Sequence, residues 1–273
     1  MATNLNSVKY DNFFKGLFIG PTGAGKTIAA ASWPGKTLII DFDVRHKPVI
    51  KWFPERVAAG DFTVETIDYS NFNSTMSALS DSLKTYNPYD NIILDGITSC
   101  TLTIISMLLY NKKGFTSFFA KSVQSENKGS KVTLGGTIVP GWDEFNALSG
   151  IMGYMIETLK SYKCNLFVSA HPVKRTVIEG TKSETRSSIV AFGPKIESQV
   201  PNYFDEVWYF DYSIEFDQSG RENIKRICHT GPSEKYFDAK TALEIPKQID
   251  YTDKNLYDCV KEYLDVEVKE PVL

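Results

Sequence analysis

Short runs of large apolar residues, most of them ended by Gly or an acid, recur along the chain. They alternate with stretches whose apolar positions fall three or four apart. Leu17-Phe18-Ile19 precedes Gly20, Leu38-Ile39-Ile40 precedes Asp41, Ile92-Ile93-Leu94 precedes Asp95, and Leu166-Phe167-Val168 sits inside CNLFVSA at 164–170. Runs with no polar alternation suit strands buried on both faces, as in a parallel sheet covered by helices. The first predicted strand spans 15–20 and is followed by a helix ending near Ser32, where Trp33-Pro34-Gly35 stops it. A second strand spans 36–42 and a short third one 62–67. Phe72, Met76, Leu79 and Leu83 give one apolar helical face over 72–86.

Further along, the pattern predicts a strand ending at Asp95, a helix over 99–110, a helix over 142–162 and a strand over 164–170. The 142–162 helix carries Phe145, Leu148, Met152, Met155 and Leu159 on one stripe. A helical turn follows at 196–200, then strands at 207–210 and 214–216, a turn at 218–220 and a returning strand at 224–229. A last helix covers 255–264. Residues 44–60, with Pro48, Pro54 and Gly60, show no period, and 111–141 and 173–192 read as long polar loops. The expected fold class is α/β, with a mainly parallel central sheet flanked by helices and an antiparallel C-terminal section. The domain reading is a lead-in over 1–14, one core over 15–249, and a short helix with an acidic tail over 250–273.

Composition changes this picture little. The chain has 273 residues, 42% hydrophobic and 23% charged, enough for one sizeable core. Its longest apolar run, 97–110, is broken by Thr98, Ser99, Thr101, Thr103 and Ser106, so no membrane span is expected. The opening residues MATNLNSVKY lack a basic, apolar, small-residue succession, which predicts no signal peptide. Four cysteines without C-x-x-C spacing suggest neither a disulfide framework nor a zinc site. A cytoplasmic protein is expected. The net charge of −3 argues against a surface coated by nucleic acid. Two stretches are nevertheless basic: 112–131 holds five lysines against Glu126, and 174–186 holds four cations against Glu179 and Glu184.

The chemistry concentrates at 20–27, GPTGAGKT. Gly20, Gly23 and Gly25 allow a tight loop whose backbone N–H groups approach a phosphate. Pro21, Thr22 and Ala24 complete the loop. Lys26 supplies positive charge for the β- and γ-phosphates, Thr27 offers a hydroxyl to Mg²⁺, and the following helix points its N-terminus at the anion. About seventy residues later Asp95 ends a buried strand, where one carboxylate can hold a Mg²⁺ water shell. ATP and Mg²⁺ are the expected cofactors, with Thr27 and Asp95 as metal residues.

With these motifs and His171 in place, the chain resembles the RecA-like P-loop ATPases. More narrowly, it resembles the phage-encoded, AAA-labelled proteins of the Sak type, which act in single-strand annealing and recombination. The resemblance rests on GPTGAGKT, TLIIDFD at 37–43, YDNIILDGITS at 89–99, NLFVSAH at 165–171, NYFDEVWYF at 202–210 and DAKT at 238–241. It implies that Asp43 stands where the family has a water-activating glutamate, with Asp41 or Glu55 as substitutes because an aspartate is shorter. It further implies that His171 is a polar sensor and that Lys240 reaches a neighbouring subunit's γ-phosphate in a homo-oligomer. The two basic stretches would be loops for single-stranded DNA, through Lys112, Lys113, Lys121, Lys128, Lys131, Lys174, Arg175, Lys182 and Arg186, with Phe115, Phe118 and Phe119 available for stacking. A single-strand-binding protein is implied as a partner by the resemblance alone.

Two other readings stay open. A P-loop kinase would transfer phosphate to a small acceptor and would want a compact Arg-rich lid. A nucleotide-gated binding module would bind ATP without turnover, which the missing glutamate favours.

Overall fold

In the computed structural model, residues 13–113, 130–132, 138–179, 182–191, 194–216 and 220–264 are described. The apolar runs form the middle of an eight-stranded sheet. In chain order its strands are β1 (Lys15–Ile19), β2 (Thr37–Asp41), β3 (Phe62–Thr66), β4 (Asn91–Asp95), β7 (Asn165–Ala170), β10 (Glu206–Phe216), β11 (Glu222–His229) and β12 (Gln248–Asp250). Their order across the sheet is β12-β11-β10-β1-β7-β4-β2-β3. From β10 to β3 every pairing is parallel, while β11 runs antiparallel to both neighbours. Two separate ribbons complete the strands: β5 (Ser130–Val132) with β6 (Ile138–Pro140), and β8 (Pro172–Glu179) with β9 (Lys182–Ile189). This is a mixed α/β fold with a mostly parallel central sheet and antiparallel C-terminal strands, as the sequence pattern led one to expect.

Eight helices flank the sheet among the described residues: α1 (Lys26–Ala31), α2 (Lys47–Trp52), α3 (Pro54–Ala58), α4 (Phe72–Thr85), α5 (Ile97–Lys113), α6 (Trp142–Ser161), α7 (Pro194–Gln199) and α8 (Leu256–Leu264). The pleat explains why the strands read as unbroken apolar runs. Leu17, Ile19, Leu38, Ile40, Ile92 and Leu94 face the core shared with α4, α5 and α6. Phe18, Ile39, Ile93, Phe167 and Trp208 face the other core, with α1 and α8. An aromatic layer fills that second side. Phe18 stacks on Trp208 at 5.6 Å, and Phe14 lies 5.3 Å from Phe167 and 4.9 Å from Trp208. No described helix is long and apolar enough to cross a membrane.

Several sequence expectations need correction. Residues 44–60 are not irregular: they form α2 and α3, and their prolines sit in the first turn of each helix, where a missing N–H costs nothing. Most of 173–192 is the β8–β9 ribbon, whose β-branched Val173, Thr176, Val177 and Ile178 favour extended backbone. Strands 207–210 and 214–216 are one continuous β10, because β11 pairs along it from Tyr209 to Phe216. The 99–110 helix extends over 97–113. The three-residue β12 carries no pattern long enough to be seen in sequence.

Phe18 is 1% exposed at the centre of the aromatic layer. Phe18→Ala should destabilise the fold by about 3–5 kcal/mol, read from urea unfolding; a loss below about 1 kcal/mol would contradict this packing.

Candidate nucleotide site

In a parallel sheet, ligands gather at the C-terminal strand edge. Here β7 lies between β1 and β4, so three strand ends converge on one place. On one side the Gly20 N–H donates to the Ala170 carbonyl at 3.1 Å. On the other, Ser169 Oγ donates to Asp95 Oδ1 at 2.5 Å and accepts the Gly96 N–H at 2.8 Å. The strand thereby ties the phosphate loop to the carboxylate.

The loop 20–25 leads into α1 through Gly25, which is left-handed at φ 89° and would be strained with any side chain. No side chain caps α1, so its leading N–H groups stay available. Lys26 is buried, and its Nζ donates to the carbonyls of Gly20 at 2.7 Å and Pro21 at 3.1 Å. Burial pushes its pKa down to about 8, against the pull of Asp95 and Asp43. Thr27 Oγ1 lies 2.9 and 3.1 Å from the two oxygens of Asp95. Burial raises the Asp95 pKa, opposed by the Ser169 and Thr27 hydroxyls.

Asp43 follows β2, in a loop shaped by Asp41. Asp41 is fully buried: Oδ1 accepts the Asp43 N–H at 3.0 Å and the Arg45 N–H at 3.4 Å, while Oδ2 meets His46 Nδ1 at 2.7 Å. Val44 in this loop takes φ 54°, a costly conformation for a β-branched residue. Asp43 accepts from the Ser99 hydroxyl and lies 3.8 Å from His171 Nε2. His171 is the main influence holding the Asp43 carboxyl below the ordinary carboxylate range; burial opposes it and Ser99 assists. Gly96, at φ 92°, leaves room for this carboxylate, because a Cβ there would fall 2.6 Å from Asp43 Cγ.

Lys26, Thr27, Asp43, Asp95 and His171 all line one cavity of about 590 Å³, together with Thr22, Gly23 and Gly25 of the loop. That volume falls in the range of small-molecule and cofactor sites. The rest of its lining includes Trp52 and Phe53 of the α2–α3 corner, Arg226 of β11, and residues 251–256. Of the three acids considered as water-orienting groups, only Asp43 faces the cavity; Asp41 is engaged in the loop and Glu55 is exposed on α3. Lys240 is elsewhere, held by paired backbone hydrogen bonds to Val207 at 2.8 and 3.0 Å. Among the basic candidates, Lys174 is exposed at the start of β8, and register sets Arg175 opposite Arg186. Lys182 lies on β9, Lys131 on β5, and Lys112 and Lys113 end α5. Lys121, Lys128, Phe115, Phe118 and Phe119 lie outside the described residues.

Sequence reasoning missed Ser99, Gly96, Ser169, Trp52, Arg226 and Tyr251. Ser169 had a signal, as the one hydroxyl near the end of a buried strand. The others are brought in by tertiary packing and had none.

A family model described as an AAA domain matches residues 12–243. No curated protein matches the chain.

Two outcomes follow from this geometry. A polyphosphate re-charges Lys26, so binding takes up a proton once the free site has lost its own. ATP affinity should hold from pH 6.5 to about 8 and then fall by up to about tenfold per pH unit; a flat titration curve to pH 9.5 would contradict the buried lysine. Gly96→Ala should displace Asp43 and cut phosphate release by roughly tenfold or more with nucleotide affinity little changed; undiminished turnover in a folded variant would contradict the placement of Asp43.

Proposed function

The chain belongs to the AAA-domain family of nucleotide-binding ATPases, and we propose that it binds and hydrolyses Mg²⁺-ATP while engaged on single-stranded DNA, in phage-type recombination, annealing or replication. The observation that carries the nucleotide part is the Thr27 hydroxyl at 2.9 Å from the Asp95 carboxylate, beside a buried Lys26. Two oxygen donors, Thr27 in the first turn of α1 and Asp95 at the end of β4, are the donor chemistry a hard divalent cation takes. When bound, Mg²⁺ would neutralise charge on the phosphate oxygens. Lys26 would leave the Gly20 and Pro21 carbonyls for the phosphates and stabilise charge on the transferred group. Asp43, kept ionised beside His171 and Ser99, would orient the attacking water.

The DNA part is supported by position. His171 stands between the Asp43 carboxylate and the first residue of β8, and its carbonyl accepts the Val190 N–H at 2.7 Å, just beyond the end of β9. A change around Asp43 on hydrolysis is therefore one residue from the basic ribbon. The ribbon's register sets Arg175 opposite Arg186, a basic pairing in keeping with a polyanionic partner. A homo-oligomer belongs to the same reading, with Lys240, which stands away from its own cavity, serving a neighbour's nucleotide.

A second reading, a nucleotide-gated module without turnover, is favoured by one observation: the short Asp43 side chain is already engaged by Ser99. Phosphate release titrated with single- and double-stranded DNA separates the two. Single-stranded DNA should stimulate release, with the effect weakening as salt rises. Lys26→Ala should abolish it, and Asp43→Ala should lower it by roughly a hundredfold or more. Equal release with and without DNA at low salt would remove the DNA role and leave the ATPase. ATP binding with no release, even on DNA, would establish the gated module instead.

A further inference from the structure

The match to the AAA-domain family ends at residue 243, yet the chain beyond it returns to the phosphate loop. Residues 248–250 add β12 to the sheet by pairing with β11, and the Tyr251 N–H donates to the Arg226 carbonyl at 3.1 Å. The Tyr251 ring is buried and meets Phe210 edge-on at 5.8 Å. Its hydroxyl donates to the Ala24 carbonyl at 2.5 Å, inside the GPTGAGKT loop. Beyond it α8 lies on α1: Leu256 and Val260 are fully buried, and the Tyr257 N–H donates to Ser32 Oγ at 3.0 Å.

The Ala24 carbonyl and the Gly25 N–H belong to one planar trans peptide, so they point in opposite directions. A hydroxyl that grips the carbonyl from one side turns the N–H to the other. The grip acts where the backbone is least constrained by itself, since Gly25 is left-handed and carries no side chain. We propose that Tyr251 is a positioning residue for the phosphate loop: by holding the Ala24 carbonyl it presents the Gly25 N–H to a bound phosphate, and it makes the docking of residues 248–264 and the binding of nucleotide mutually dependent. The inference rests on the nucleotide reading of this site and adds to it a residue outside the matched domain. Linkage makes the coupling reciprocal: whatever the docked segment contributes to nucleotide affinity, nucleotide returns to the docking.

Tyr251→Phe keeps the ring and its packing and removes only the hydroxyl. Calorimetric titration of the full chain with ATP, ADP and inorganic tripolyphosphate, with Mg²⁺, should give affinities about tenfold weaker in the variant for all three, because the defect lies at the phosphates. KM for ATP should rise with kcat little changed. A purely structural tyrosine would lower the unfolding midpoint and leave these affinities alone, which would overturn the proposal. Hydrogen exchange of the wild-type chain provides a second arm that needs no variant. ADP should slow exchange across residues 250–264 as well as in the loop, and protection confined to the loop would overturn the coupling even if Tyr251→Phe fails to fold. Absence of binding by the wild type to any of the three ligands would instead remove the nucleotide reading, and this inference with it.

Discussion

The site depends on one strand being where it is. Because β7 runs between β1 and β4, its end bonds on one side to the start of the phosphate loop and on the other to the carboxylate of Asp95. Thr27 then reaches Asp95 across the gap, and three segments far apart in sequence share one hydrogen-bonded unit. Buried carboxylates are costly unless their oxygens are satisfied. Here the Ser169 and Thr27 hydroxyls satisfy them and leave the group beside a lysine, as an anionic ligand and its metal would require. On the proposed reading Lys26 is the group that must move, giving up the Gly20 and Pro21 carbonyls to reach a phosphate.

The surroundings of Asp43 follow another logic. Its position comes from a loop whose geometry Asp41 dictates through two backbone N–H groups, at the expense of a left-handed Val44. Gly96 completes the fit by leaving empty the volume that a Cβ would take from the carboxylate. Strain and close approach of this kind cluster where a group must be held in place. Asp41, which the resemblance offered as a substitute base, is the residue that organises the loop.

What could be read in the sequence is what short-range pattern encodes. The apolar runs gave the parallel strands, and GPTGAGKT and Asp95 could be read as a phosphate cradle and a carboxylate at a strand end before any geometry was known. The prolines at 48 and 54 misled because a breaker and a helix starter look alike without knowing which side the helix lies on. The β8–β9 ribbon was hidden by its polar composition, because a two-stranded ribbon outside the main sheet need not show a buried face. Ser99, Gly96 and Tyr251 were invisible for a different reason. Each acts on a partner tens to hundreds of residues away, and only the fold creates that adjacency.

The central claim is that Thr27 and Asp95 together hold a divalent cation on a bound nucleotide. Its most direct measurement is ADP affinity with Mg²⁺ and with EDTA, in the wild type and in Asp95→Asn, whose amide keeps the shape and removes the charge. The expected result is binding strengthened by Mg²⁺ in the wild type, with most of that gain lost in the variant and the EDTA affinities nearly equal. A Mg²⁺ gain of the same size in both proteins would contradict the claim.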